Sequence, residues 1–189
     1  EKIRAFNGLC EYEHVKNFEP DEAALGDLEP EGYVVVRSSA QYAAYFNSDD
    51  RTQEVIDGLA KTAFEVAVMP RGDETYKNAV NIRNGDSLSL IYFAKAMVGG
   101  GGTMNRESAL LGTPTISYYP QELLGVDKFL ILEELMFHCS TVAEVITAVE
   151  RVEGQKEIFR ERARALRASM RSPIEVIEEE ITSLLGPSS

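Results

Sequence analysis

Short runs of consecutive apolar residues alternate along this chain with longer stretches in which apolar positions return every three or four residues. The clearest runs are Tyr33 to Val36 (YVVV), Val66 to Met69 (VAVM) and Thr115 to Tyr118 (TISY), with weaker ones over 79–82, 96–98 and 136–139. They are apolar nearly throughout, which predicts strands covered by helices on both faces. Between them, Asp50 to Phe64 places Val55, Ile56, Leu59, Ala60 and Ala63 at helical spacing, with Asp49 or Asp50 to cap its start. Further helices are predicted over 87–94, over 103–111 closed by Gly112, and over 127–135, 141–152, 156–170 and 173–185, the last opening with Pro173 in its first turn. The alternation predicts an α/β fold with a Rossmann-like, doubly wound, mainly parallel sheet of about six strands. The stretch before Tyr33, including EYEHVKNF, has alternating character and reads as a strand or a linker. The division that follows is a linker segment over 1–30, a Rossmann-like domain over 31–155 and C-terminal helices over 156–189.

Composition narrows the class. The 189 residues are 44% hydrophobic, enough for one sizeable core and unlike disordered, collagenous or disulfide-rich chains. A net charge of -12 argues against nucleic acid or an anionic membrane as a partner, because an acidic surface repels polyanions. A small anion remains compatible where positive groups gather locally. Cys10 and Cys139 each stand alone, so neither a metal knuckle nor a disulfide framework is indicated, and a reducing, cytoplasmic setting is expected. No apolar run approaches the roughly 20 residues that span a bilayer, and the first residues lack a signal-peptide pattern. The sequence starts at Glu1 rather than Met, which is read as processing or a fragment.

In open α/β sheets ligands bind beyond the carboxyl ends of the strands, so the residues just after each strand carry the chemistry. Arg37 follows YVVV, Arg71 follows VAVMP, Arg83 follows AVNI, and four consecutive glycines, Gly99 to Gly102, follow AMV. These arginines are expected to converge on the glycine loop, where their fixed fork of donors suits phosphate or carboxylate; pairing of each with an acid such as Asp73 or Asp86 is the plainer alternative. A glycine-rich turn entering a helix exposes unpaired N–H groups and the positive end of the helix dipole, and a phosphate can approach closely where no Cβ intervenes. Gly100, Gly101, Gly102 and Thr103 are therefore candidate phosphate ligands, with Thr103 also the expected helix cap. The loop is not the nucleoside-triphosphatase type, since no lysine follows the last glycine. The dinucleotide pattern G-x-G-x-x-G also fails, because Met104 or Asn105 falls at its third glycine. Glu107, one helical turn on, could accept hydrogen bonds from the hydroxyls of a ribose or simply complement the helix dipole. His14 and His138 lack metal-ligand neighbours in sequence and read as packed or surface residues, so neither a metal nor a cofactor is implied. Tyr42, Tyr45 and Phe46 after Arg37 could cover a base or sugar, although packing over the sheet is the simpler role.

The stretch GGGTMNRESALLGTPTISYYP resembles the donor-binding segment of the GT-B superfamily, which includes UDP-N-acetylglucosamine 2-epimerases and MurG-type glycosyltransferases. The shared features are a glycine turn followed by Glu-x-x-x-x-Gly-x-Pro, here Glu107, Gly112 and Pro114. The resemblance implies that Gly101, Gly102 and Thr103 hold a nucleotide diphosphate and that Glu107 binds ribose hydroxyls. The whole chain is also similar to an uncharacterised, mainly archaeal family of that superfamily. The epimerases carry an arginine-rich stretch where this chain has Tyr118, Tyr119, Pro120, Gln121 and Glu122, which argues against epimerase activity. What the resemblance implies is the C-terminal, donor-binding half of a glycosyltransferase-like enzyme, with a UDP-sugar as ligand, an N-terminal half of the same protein as partner, and a catalytic apparatus incomplete in this chain. The alternative is a non-catalytic module that binds a phosphorylated metabolite.

Overall fold

A computed structural model describes residues 3, 5–39 and 50–185. The six predicted strands all form: β1 (Tyr33–Arg37), β2 (Glu65–Met69), β3 (Val80–Asn81), β4 (Ala96–Gly99), β5 (Thr115–Ser117) and β6 (Met136–His138). They make one parallel sheet in the order β3-β2-β1-β4-β5-β6. This is the doubly wound, Rossmann-like arrangement, and its strand order reverses direction between β1 and β4. Val34, Val35 and Val36 of β1 are all at 0% exposure. Alternate residues of a strand face opposite sides, so both faces of the sheet are covered there. The edge strand β3 is shorter than its apolar run because the Asn81 side chain bonds the backbone of Tyr76 and Ala79. A short edge of this kind offers little to a foreign strand.

Helices fill the connections: α2 (Thr52–Leu59), α3 (Ser87–Phe93), α4 (Thr103–Leu111), α5 (Gly125–Leu132), α6 (Val142–Arg151), α7 (Lys156–Ser169) and α8 (Pro173–Leu185), preceded by a single turn, α1 (Tyr12–Val15). Arg51 is the N-cap of α2 and its side chain makes no capping bond, whereas Asp50 just before it accepts from the Thr52 backbone N–H at 3.0 Å. That helix stops five residues before the predicted end, at Leu59, where the Thr62 hydroxyl takes the Leu59 carbonyl at 2.6 Å and the chain turns into β2. Thr141 and Glu144 form a reciprocal cap at the start of α6.

The stretch expected to be a strand or linker is instead α1 followed by a 3-10 turn over Glu22–Leu25. Beneath the apparent alternation, Tyr12, Val15 and Phe18 recur every three residues and all pack on the core, which Leu9, Leu25 and Leu28 also join. Tyr42, Tyr45 and Phe46 lie outside the described residues.

Helix α7 crosses α4 closely. Gly112 ends α4 with φ of +80°, and a Cβ there would stand 2.5 Å from Arg160 Cα in α7. Gly112→Ala is therefore expected to lower the free energy of unfolding by about 1–3 kcal/mol, measured by urea titration, through both backbone strain and helix displacement. At the start of α7 the buried Lys156 donates to the Ala94 carbonyl at 2.7 Å. Burial, then the Arg160 charge, pulls its ammonium from 10.5 down to about 8. Below pH 8 both folded and unfolded chains hold this proton and the burial penalty is complete. Between pH 8 and 10.5 only the unfolded chain holds it, so stability should rise with pH by on the order of 3 kcal/mol relative to Lys156→Met. Parallel urea titrations of the two proteins across that range check this, and a constant difference between them would refute it.

Candidate functional site

The register of the central strands sets Arg37 at the end of β1 opposite Gly99 at the end of β4. A cleft of about 800 Å³ opens at this point, and Arg37, Arg71, Gly100, Gly101, Gly102, Thr103 and Glu107 all line it. The topological switch point thus coincides with the residues singled out from their positions after strands.

The glycines serve different ends, and ligand approach does not explain all of them. A Cβ on Gly99 would fall 1.8 Å from Asn105 Oδ1, and one on Gly100 would fall 2.4 Å from Ser39 Oγ. These two are glycines because the protein itself fills the space. Gly101 and Gly102 have φ of +100° and +99°, a backbone region that side chains rarely adopt, and Tyr119 also crowds Gly101. A larger residue at Gly101 would be strained whether or not a ligand binds. Gly102, rather than Thr103, is the N-cap of α4, and no side chain caps the helix. The Gly100 N–H donates to the Arg37 carbonyl at 3.3 Å. Among the described residues, none accepts from the N–H groups of Gly101, Gly102, Thr103 or Met104. Open backbone donors at the positive end of a nine-residue helix make a site for an anion.

Two of the three arginines stand at this opening. Arg71 donates from Nε to the Ser38 carbonyl at 2.9 Å and from Nη2 to the Gly101 carbonyl at 3.2 Å, so it braces the glycine loop against the end of β1. Arg37 donates from Nη1 to the Met69 and Pro70 carbonyls. Burial, and next the neighbouring Arg71 charge, hold the Arg37 guanidinium below its ordinary pKa. Two like charges kept this close favour an anion between them. Arg83 does not converge on the cleft and pairs with neither Asp73 nor Asp86 through their carboxylates. It binds the carbonyls of Gly72, Asp73 and Glu74, which shapes the turn before β3, while the Asp86 carboxylate caps α3.

On the opposite wall, Glu107 is buried and receives His14 Nδ1 at 2.6 Å from α1. Arg106 beside it reaches Asp127 of α5 through Nε at 2.9 Å and Glu11 through Nη1 at 3.0 Å. Burial opposes the charge on Arg106, but the hydrogen bonds it donates to Asp127 and then Glu11 outweigh it and hold its pKa above the ordinary value. Arg106, Tyr119, Gln121, Glu122 and Asp127 also line the cleft, with Met104 and Leu124, and were not identified from sequence as ligand residues. His14 and Glu107 are 93 positions apart, so no local spacing connects them. His138, in contrast, is exposed and meets the Tyr119 carbonyl at 2.9 Å. Among the described residues no three His, Cys, Asp or Glu side chains gather where they could hold a metal ion, and no helix is long and apolar enough to cross a membrane.

The chain belongs to the family described as "Protein of unknown function (DUF354)", whose model matches residues 1–182. The uncharacterized protein MJ0665 of Methanocaldococcus jannaschii is 38% identical over 161 residues, covering 77% of this chain and 47% of its own length. In fold the chain is similar to the calicheamicin glycosyltransferase CalG4, with a TM-score of 0.61 and 18% identity over 91% of this chain and 45% of that one. It is also similar to SnogD from Streptomyces nogalater (TM-score 0.60, 16% identity, 89% of this chain and 46% of that one). A third likeness is to VinC in complex with DTDP (TM-score 0.61, 13% identity, 86% and 44%). At these identities the likeness establishes a shared α/β, Rossmann-like fold with the matched part of these glycosyltransferases. The chain spans about half the length of these relatives.

Arg106 sits between two carboxylates whose side chains are 8% and 10% exposed. Arg106→Ala leaves both without their cation, and the expected loss is about 3 kcal/mol of folding stability. Equilibrium unfolding checks this; a loss below 1 kcal/mol would mean that water already screens the trio.

Proposed function

We propose that this chain is the nucleotide-diphosphate-sugar-binding half of a GT-B glycosyltransferase-like enzyme, equivalent to the C-terminal, donor-binding half. The observation that carries this reading is the set of unpartnered N–H groups from Gly101 to Met104, which open with Arg71 into the same cleft as Glu107. The diphosphate sits on Gly101, Gly102 and Thr103, with Arg71 and Arg37 supplying positive charge. Glu107, a turn further along α4, accepts the ribose hydroxyls. Gly100 contributes shape rather than a donor, because its N–H is already held by Arg37. The fold neighbour VinC is in complex with DTDP, which supports a nucleoside diphosphate as the ligand class, and a UDP-sugar is the favoured donor.

In a transfer reaction, negative charge builds on the departing diphosphate as its bond to the sugar breaks. Fixed N–H dipoles and guanidinium groups stabilise that charge without reorganising at the moment of reaction. The acceptor and any catalytic base belong, in this reading, to the remaining length that the relatives possess. Ile174, Ile177, Ile181, Leu184 and Leu185 are exposed along α8 at helical spacing and offer that further half an apolar face.

Isothermal titration with UDP, UDP-N-acetylglucosamine and inorganic phosphate tests the proposal. UDP and its sugar should bind in the micromolar range. Glu107→Gln, which keeps the shape and the contact to His14, should weaken UDP roughly tenfold while leaving phosphate unchanged, as loss of a hydrogen bond to a charged group would. Binding of phosphate alone would turn the assignment to a non-catalytic module for a phosphorylated metabolite. If none of the three binds, both assignments fall.

A further inference from the structure

We propose that His14, on the short helix that precedes the sheet, holds Glu107 in position for the ribose and so supplies part of the preference for a nucleoside diphosphate over bare phosphate. This rests on the assignment of the cleft given above. The observation behind it is a cross-link of two successive α4 residues to one turn of α1. Arg106 Nη1 meets Glu11 Oε1 at 3.0 Å, and Glu107 Oε1 meets His14 Nδ1 at 2.6 Å. Arg106 and Glu107 both line the cleft, so α1 is fastened to the ligand-facing residues of α4.

The pair is asymmetric. The His14 side chain is 55% exposed and that of Glu107 only 10%. A carboxylate so far out of water needs a donor, and His14 Nδ1 provides it. Only Oε1 is taken this way; Oε2 accepts no hydrogen bond among the described residues and is left for hydroxyl donors of a ligand. A glutamate that is free to rotate gives up its rotamers on binding, which weakens affinity. Here the imidazole removes that freedom beforehand. The turn that carries the imidazole is itself anchored, because the neighbouring Glu13 receives the Ser172 hydroxyl at 2.5 Å, tying α1 to the residue that precedes α8. His14 is thus a positioning residue that acts through Glu107.

The test is isothermal titration of the wild-type chain, His14→Ala and His14→Asn with UDP, 2′-deoxy-UDP and inorganic pyrophosphate. Asparagine places an amide donor near the position of Nδ1, whereas alanine removes the donor. His14→Ala should weaken UDP about five- to tenfold, leave pyrophosphate within about twofold and shrink the ratio of UDP to 2′-deoxy-UDP affinity. His14→Asn should restore much of that ratio. If the wild type binds UDP and His14→Ala binds it equally well, this inference is overturned and the nucleotide assignment stands. If His14→Ala weakens UDP and pyrophosphate alike, His14 serves only to dock α1, and the inference is again overturned. A wild-type chain that does not bind UDP removes both.

Discussion

The loop after β4 depends on a close fit: Gly99 lies against the Asn105 amide and Gly100 against Ser39 at the end of β1, with no room for a Cβ at either position. This contact draws the start of α4 over the point where the strand order reverses. Gly101 and Gly102 then turn the chain through positive φ and leave the first N–H groups of the helix facing an open cleft. If the loop stood farther from β1, Arg71 could not reach the Gly101 carbonyl and the two arginines would not share an opening with the helix end. The shape of the cleft follows from packing, and the packing follows from missing side chains.

Charge is distributed to match. A chain of net charge -12 keeps Arg37 on the Met69 and Pro70 carbonyls and Arg71 on those of Ser38 and Gly101, while Arg106 is paired with Glu11 and Asp127. The two arginines whose hydrogen bonds go to carbonyls thus stand at the end of the cleft nearest the glycine loop. The opposite wall is built from buried ion pairs that fix α1, α4 and α5 against one another. Such an arrangement suits a ligand with an anionic part and a hydroxyl-bearing part, which is the chemistry of a nucleoside diphosphate.

Much of this was legible in the sequence. Apolar runs located all six strands, and α4 begins and ends where its spacing and Gly112 indicate. Arg37, Arg71 and the glycine run, which share one cleft, were singled out because ligands gather after strand ends in such sheets, a rule that needs only the strand positions. The same rule misplaced Arg83, since it takes no account of the turn carbonyls of residues 72–74, which bind that guanidinium. The first thirty residues misled for a related reason: a single helical turn is too short for its period to stand out from alternation, and it is stabilised by contacts with α4 and α8 rather than by its own propensity.

Periodicity and residue type therefore determined the layers, the strand positions and the presence of a glycine turn at the start of α4, because these depend on neighbours within a few positions in the chain. The tertiary structure alone decided which glycines serve packing and which serve the turn, which N–H groups remain open, and that His14 meets Glu107 across 93 positions. Those outcomes are set by distances between elements, and such distances are fixed only when the sheet closes its register and the helices settle on it.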